Sequence, residues 1–169
     1  MLLVIKMEQK NRKRNRLENY DYDQEGCYFV TLCTQNRLRL FQMESPVGNG
    51  LCAVPHIPNQ IVHKWVVETQ KKFDNITVDK YVVMPDHLHF IINIRERHTG
   101  RSLQDAMHFF KTMTTNEYIV GVKLGALPPF NKRLWQKSYY DHVIRNQQDY
   151  NEVWEYIENN PAKWLAKTE

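Results

Sequence analysis

Cysteine is scarce in this chain of 169 residues: Cys27, Cys33 and Cys52 are the only three. The count is odd, no Cys-x-x-Cys occurs, and no second pair follows that could complete a zinc site. Cys27 and Cys33 fall within or beside a strand-like run, so they read as reduced, small buried apolar groups. Long apolar runs are missing as well. No stretch approaches the roughly 20 apolar residues needed to cross a bilayer. The opening MLLVIK puts its charge after a short apolar run and leads into QKNRKRNR, the reverse of the order in a secretory signal. The expectation is a cytoplasmic protein with no membrane partner. Glycine (6) and proline (7) are few, and no repeat or Gly/Ser linker appears. A collagen-like or low-complexity organisation is therefore excluded.

What is present can build one ordinary domain. At this length folding buries roughly 70% of the unfolded chain's surface, so a core needs neither disulfides nor metal. Hydrophobic residues make up 42% and aromatics 12%, which excludes disorder as the main state despite a mean hydropathy of -0.62. The net charge is only +4, from 23 Lys and Arg against 19 Asp and Glu. Its distribution says more. Lys10, Arg12, Lys13, Arg14 and Arg16 lie within seven residues, and Lys132, Arg133 and Lys137 surround Trp135. A basic run is either a solvated tail or a contact for a polyanion, where each neutralised phosphate releases counterions. Residues 1–25 read as a basic arm, and 26–169 as a single domain.

Periodicity orders the elements. CYFVTLCT (27–34) is a β-branched and aromatic run without a breaker, hence a buried strand. Residues 35–57 carry Pro46, Gly48, Gly50 and Pro55 and read as an irregular loop. NQIVHKWVVETQKKF places Ile61, Trp65 and Thr69 on one helical face. ITVDKYVVM and HLHFIINI flank Pro85-Asp86, a tight connection that favours an antiparallel hairpin. Ser102 with Asp105 forms a capping box for a helix that keeps Leu103, Met107, Phe110 and Thr114 on one face. A loop rich in breakers (Gly121, Gly125, Pro128, Pro129) leads to a fourth strand, LWQKSYYDHVI. Asp149 with Glu152 caps a final helix, which Pro161 is expected to stop. The order β-α-β-β-α-β plus a helix predicts an α+β, ferredoxin-like (split βαβ) fold: an antiparallel sheet with helices on one face and an added C-terminal helix.

Two short constellations carry chemistry. In Pro85-Asp86-His87-Leu88-His89-Phe90, strand alternation points His87 and His89 to one face and Leu88, Phe90 and Ile92 to the other. Two imidazoles one pleat apart can reach a single metal ion, although such a pair is also compatible with two ordinary surface histidines. Zinc would need a third strong ligand, and no cysteine is near in sequence. In the last helix Tyr156 and Asn160 are four apart and share a face, beside an apolar stripe of Val153 and Ile157. A tyrosine there is as readily a core or rim aromatic, and the chain has nine.

YVVMPDHLHFIINI, SLQDAMHFFKTMTT, LWQKSYYDHVIRN and YIENNPAKW, in this order, resemble the REP-associated tyrosine transposases, which belong to the single-tyrosine HUH transposases of insertion-sequence type. NRKRNR, NYDY and CYFVTLCTQNR are similar to the start of that family. The resemblance runs from about Arg12 to Trp164, and residues 42–57 match poorly. It implies that His87 and His89 are metal ligands and Tyr156 the nucleophile. It also implies that Asn160 stands where related transposases carry a metal-binding glutamine; asparagine has the carbonyl oxygen on a shorter stem. The implied cofactor is Mg²⁺ or Mn²⁺, and the implied partner is single-stranded DNA, often beside a hairpin foot. A mixed nitrogen and oxygen set suits those ions. A phenol with pKa near 10 needs a neighbouring cation to act as a nucleophile on a phosphodiester.

The run Lys10, Arg12, Lys13, Arg14, Arg16 is the main candidate for contact with the DNA backbone, joined by Lys132, Arg133 and Arg145. Arg145 reads equally as a salt bridge at a strand end. Lys111 lies off the apolar stripe of its helix and faces DNA or solvent. Tyr139 and Tyr140, placed in the fourth strand, stack on bases or pack across strands, His142 is structural, and Trp135 and Trp164 are core or rim aromatics. Three readings follow: a metal-dependent strand transferase, a non-catalytic nucleic-acid binder on the same fold, and a replication-initiator-type HUH nuclease. The last fits less well, because the motif order and a nucleophile near the C-terminus match the transposases. Monomer and homodimer both stay open.

Overall fold

The structure, a computed structural model, describes residues 25–42, 57–95 and 102–168. The basic run from Lys10 to Arg16, Cys52 and most of the 42–57 loop lie outside the described residues. The elements are β1 (Gly26–Cys33), a 3₁₀ turn (Gln35–Arg37), α1 (Ile57–Lys72), β2 (Ile76–Met84), β3 (His87–Ile94), α2 (Leu103–Lys123), β4 (Tyr140–Ile144) and α3 (Gln147–Thr168). The strands form one antiparallel sheet in the order β2-β3-β1-β4. This is the split βαβ arrangement expected from the element order.

Alternation along the strands makes two cores. On one face Leu88, Phe90 and Ile92 join Tyr28, Val30 and Leu32 of β1, and pack on Ile61, Val62 and Val66 of α1 and on Leu103, Met107 and Phe110 of α2. On the other face Phe29, Val82, Met84, Ile91 and Ile144 receive Ile157 of α3, with Val153, Trp154 and Trp164 beside it. The sheet is therefore covered on both sides, with α1 and α2 opposite α3. The parity that buries Leu88 and Phe90 in the main core sends His87 and His89 toward α3.

Details of α3 follow from what it packs against. A bulge in β2 between Val78 and Lys80 re-aims Asp79, whose carboxylate accepts from the Tyr150 hydroxyl (3.0 Å) and from the Asn93 amide. Lys80 sits 3.9 Å from the Trp154 ring centre and 3.0 Å from Glu158. The helix does not stop at Pro161 as expected but continues to Thr168. Proline's fixed φ is compatible with helix, and the cost is the lost hydrogen bond to the Ile157 carbonyl. Pro161 is buried and Trp164 packs on the sheet beyond it, so tertiary contact carries the helix past the missing rung.

Several other expectations are corrected. The fourth strand is not 134–144 but only Tyr140–Ile144, which leaves Tyr139 outside it; Trp135 makes an isolated bridge to Thr34. Between them the Lys111 ammonium donates to the carbonyls of Gln136 (2.6 Å) and Lys137 (2.9 Å). Lys111 is thus half-buried and tied to the backbone of this loop, and the carbonyls it binds are withdrawn from a strand ladder. The helix α2 runs through Gly121 to Lys123. A Cβ at Gly121 would lie 2.6 Å from the Leu127 side chain, so glycine serves a close approach rather than a break. The helix ends instead at Gly125 (φ 72), where the N–H groups of Gly125 and Ala126 close on the carbonyls of Val122 and Gly121. Asp149 and Glu152 do not cap α3. Asn146 does, accepting from the Asp149 N–H at 2.9 Å, while the Asp149 carboxylate takes up His142 and the Arg145 N–H. The Ser102–Asp105 capping box is present in full.

Candidate active site

The Pro85-Asp86 turn delivers His87 as the first residue of β3, and the exit of β1 holds that turn in place. The Asp86 carbonyl accepts from the Thr34 N–H (2.9 Å) and hydroxyl (3.0 Å), and the Pro85 carbonyl from the Phe41 N–H (3.1 Å). Thr31 stands opposite His89 in the β1–β3 register, and Val82 flanks His89 from β2. Both imidazoles are buried, His87 7% and His89 3% exposed.

The outer nitrogen of each ring has a dedicated partner. His87 Nδ1 lies 2.5 Å from Asp86 Oδ1, and His89 Nδ1 lies 2.8 Å from Thr31 Oγ1. The inner nitrogens face each other, with Nε2 of His87 3.1 Å from Nε2 of His89. From α3 the Asn160 amide, also buried, comes within 3.2 Å of His89 Nε2. The ring of Tyr156, four residues earlier, stands edge-on to the His89 ring with centres 5.3 Å apart. It is 43% exposed, so the tyrosine is far more open to solvent than the two imidazoles. Phe29 stacks on His89 (5.2 Å) and meets Tyr156 edge-on (5.8 Å), which packs the two rings in place.

Electrostatics favour neutral imidazoles. Burial pulls His89 down to about 3, and electrostatic repulsion from the neighbouring His87, were it protonated, and from Arg37 acts in the same direction. Burial also lowers His87, against the opposing pull of Asp86. A neutral ring with its proton on the Asp86 side presents a lone pair at Nε2. The Asn160 N–H directed at His89 Nε2 makes that nitrogen an acceptor too. The pocket therefore gathers two lone pairs at one point, and a half-turn of the Asn160 amide would add Oδ1 to them.

Such a donor set fits a divalent cation. Two ligand atoms at about 2.1 Å in adjacent positions of an octahedron lie about 3.0 Å apart, close to the 3.1 Å between the imidazole nitrogens. No cluster of three His, Cys, Asp or Glu that could hold a metal occurs among the described residues, so the asparagine amide is the third donor at hand.

The remaining site residues named from sequence fall in different places. Lys132 and Arg133 are exposed in the loop before β4. Hydrogen bonding of Leu134 to Gln35 and the Thr34–Trp135 bridge put that loop at the His87 end of the sheet. Arg145 is at the other end: Ile144 pairs with Cys27, whereas His87 pairs with Cys33, a separation of roughly 20 Å along the strand. The structure does not bring Arg145 to the histidines. Tyr140 is half-exposed and meets Phe29 edge-on at 6.4 Å.

Sequence reasoning missed Asp86, Thr31 and Phe29, which orient the imidazoles. It also missed Arg37, whose guanidinium reaches Asp86 at 3.4 Å from a backbone held at φ 55 next to Asn36 at φ 56. Asp86 adjoins His87 in sequence and could have been found there. Thr31 and Phe29 needed the strand register.

Comparison with known proteins points one way. The family model described as "Transposase IS200 like" matches residues 28–160. An uncharacterized protein of Haemophilus influenzae is 31% identical over 166 residues, covering 91% of this chain and 90% of its own. A second Haemophilus influenzae protein, named for the REP-associated tyrosine transposases, is 23% identical over 157 residues, covering 87% and 77%. Among solved structures, a REP-associated tyrosine transposase bound to a REP hairpin superposes with a TM-score of 0.58 at 19% identity, covering 88% of this chain and 74% of that one. The family match spans His87, His89, Tyr156 and Asn160 together, and by it the chain belongs to the IS200-like transposases.

Proposed function

We propose that the protein nicks and rejoins single-stranded DNA in a metal-dependent reaction through a covalent 5′-phosphotyrosine, as a transposase of the REP-associated type. One observation carries this reading: a half-exposed phenol, Tyr156, stands against one of two buried imidazoles whose inner nitrogens converge to 3.1 Å. The substrate class is taken from the solved relative, which holds a REP hairpin.

His87, His89 and Asn160 would hold Mg²⁺ or Mn²⁺. When bound, the ion neutralises charge on the non-bridging oxygens of the scissile phosphate. The chain's own residues supply the rest. Asp86 and Thr31 keep the ring protons on the outer nitrogens, and the two inner lone pairs stay available. Burial of both imidazoles excludes water from the donor side. The packing of Tyr156 on His89 and Phe29 limits the phenol to one approach, and fixed orientation is worth more here than acid–base assistance. The phenolic oxygen attacks phosphorus, the bond from phosphorus to the 3′ oxygen breaks, the phenol proton leaves, and the departing 3′ oxygen gains one. The phosphotyrosine retains the energy of the phosphodiester, so a second 3′-hydroxyl can reverse the step and join strands.

The test is to incubate the protein with a library of single-stranded hairpins and Mn²⁺ and to sequence whatever stays attached after denaturation. An adduct lost in Tyr156→Phe and kept in Tyr140→Phe is the expected result. Salt-sensitive DNA binding without any adduct would instead make the protein a non-catalytic binder.

A further inference from the structure

At the rim of the histidine pair, Trp164 of α3 lies 5.5 Å from the His87 ring, and the Arg39 guanidinium lies 5.7 Å from the Trp164 ring. One residue earlier, Lys163 brings its ammonium to 5.9 Å from the ring of Tyr156. Tyr156, Asn160 and Lys163 sit at i, i+4 and i+7 on one face of α3, and long helical side chains lean toward the helix N-terminus, which carries Lys163 back over the phenol.

We propose that Arg39, Trp164 and Lys163 form a strand-binding rim that grips the phosphates of unpaired DNA beside the bond to be cut. The inference rests on the strand-transfer reading and adds the residues that hold the flanking strand.

Charge and position both argue for it. Arg39 and Lys163 are exposed, and neither pairs with a carboxylate among the described residues. Other cations near this face are engaged: Arg37 meets Asp86, and Lys80 meets Glu158. Two cations without a carboxylate partner among the described residues therefore lie beside the exposed Tyr156 and its neighbour His87. They come from different elements, the segment after β1 and the end of α3, so a bound strand would bridge them across Trp164. An aromatic between basic side chains is the composition that binds single strands without reading sequence, by backbone charge and base stacking. Duplex DNA offers no unstacked base to such a surface.

Binding of a fluorescein-labelled oligothymidylate is followed by anisotropy in EDTA over a range of salt concentrations, so no metal chemistry enters. The slope of log affinity against log salt should fall by about 0.7 in Arg39→Ala and in Lys163→Ala, and by about 1.4 in the double variant. Lys163→Arg should retain the wild-type slope. A double variant that melts like wild type and keeps its slope overturns the rim. If that happens while wild type still forms the adduct, strand transfer stands and only the rim falls. If wild type forms no adduct but the double variant still lowers the slope, strand transfer falls and the rim stands.

Discussion

Oδ1 of Asp86 lies 2.5 Å from Nδ1 of His87, so a buried carboxylate fixes the proton on the ring nitrogen that faces away from His89. Partners of this kind orient metal-binding imidazoles and raise their basicity. Asp86→Ala should weaken Mn²⁺ binding by roughly 10- to 100-fold, read from the free-ion signal in electron paramagnetic resonance. Thr31→Val, which removes the partner of His89 Nδ1 at 2.8 Å, should act in the same direction. Unchanged Mn²⁺ affinity in both variants would mean that neither residue serves the imidazoles as a ligand-orienting group.

On the proposed strand-transfer reading, the position of Tyr156 depends on how firmly α3 is seated. Ile157, 1% exposed, anchors α3 in the core on the sheet and follows Tyr156 directly. Ile157→Ala should cost about 2–5 kcal/mol through lost burial and the cavity left behind. Urea unfolding measures that loss, and adduct formation should slow further than the unfolded fraction explains. A variant that loses stability but forms adduct at the wild-type rate per folded molecule would show that Tyr156 is placed by other contacts.

The histidine pair was legible in the sequence because strand parity is local: once HLHFIINI is a strand, Leu88, Phe90 and Ile92 must share one face and His87 and His89 the other. Tyr156 and Asn160 were legible for the same reason on a helix. The partners of these residues were not. Thr31 meets His89 only through the β1–β3 register, and Arg39 meets Trp164 only because α3 continues past Pro161. Residues 134–139 misled because their composition is strand-like, while a lysine ammonium from α2 takes their carbonyls. Helix ends misled at Gly121 and Asp149, where tertiary neighbours (Leu127 and His142) decide what the residue does.

Lys111 supplies a stability test that is independent of catalysis. Burial lowers its pKa and the nearby Arg133 charge adds to this, yet its ammonium tethers two backbone carbonyls. Lys111→Met keeps the stem and removes the donor. The carbonyls of Gln136 and Lys137 then lose a charged partner, a cost of about 1–3 kcal/mol in urea unfolding. The salt slope of oligothymidylate binding should not change, because Lys111 faces the protein. A reduced slope with unaltered stability would return Lys111 to the DNA-facing role.

Asp149 gives a pH dependence with a definite sign. Burial alone would raise its carboxyl, but hydrogen bonds from His142 Nε2 (3.0 Å) and the Arg145 N–H (3.2 Å) outweigh it and hold the group below its usual value. The folded chain therefore binds fewer protons at this site than the unfolded chain as pH falls toward the carboxylate range. The stabilisation is complete above the unfolded value of about 3.9 and disappears as pH drops through the lower, folded value. Asp149→Asn should thus be less stable than wild type near neutrality, and the two should converge in acid. Urea midpoints measured between about pH 7 and about pH 3 test this; curves that stay parallel throughout would show that the carboxylate's charge contributes nothing to holding the start of α3 against β4.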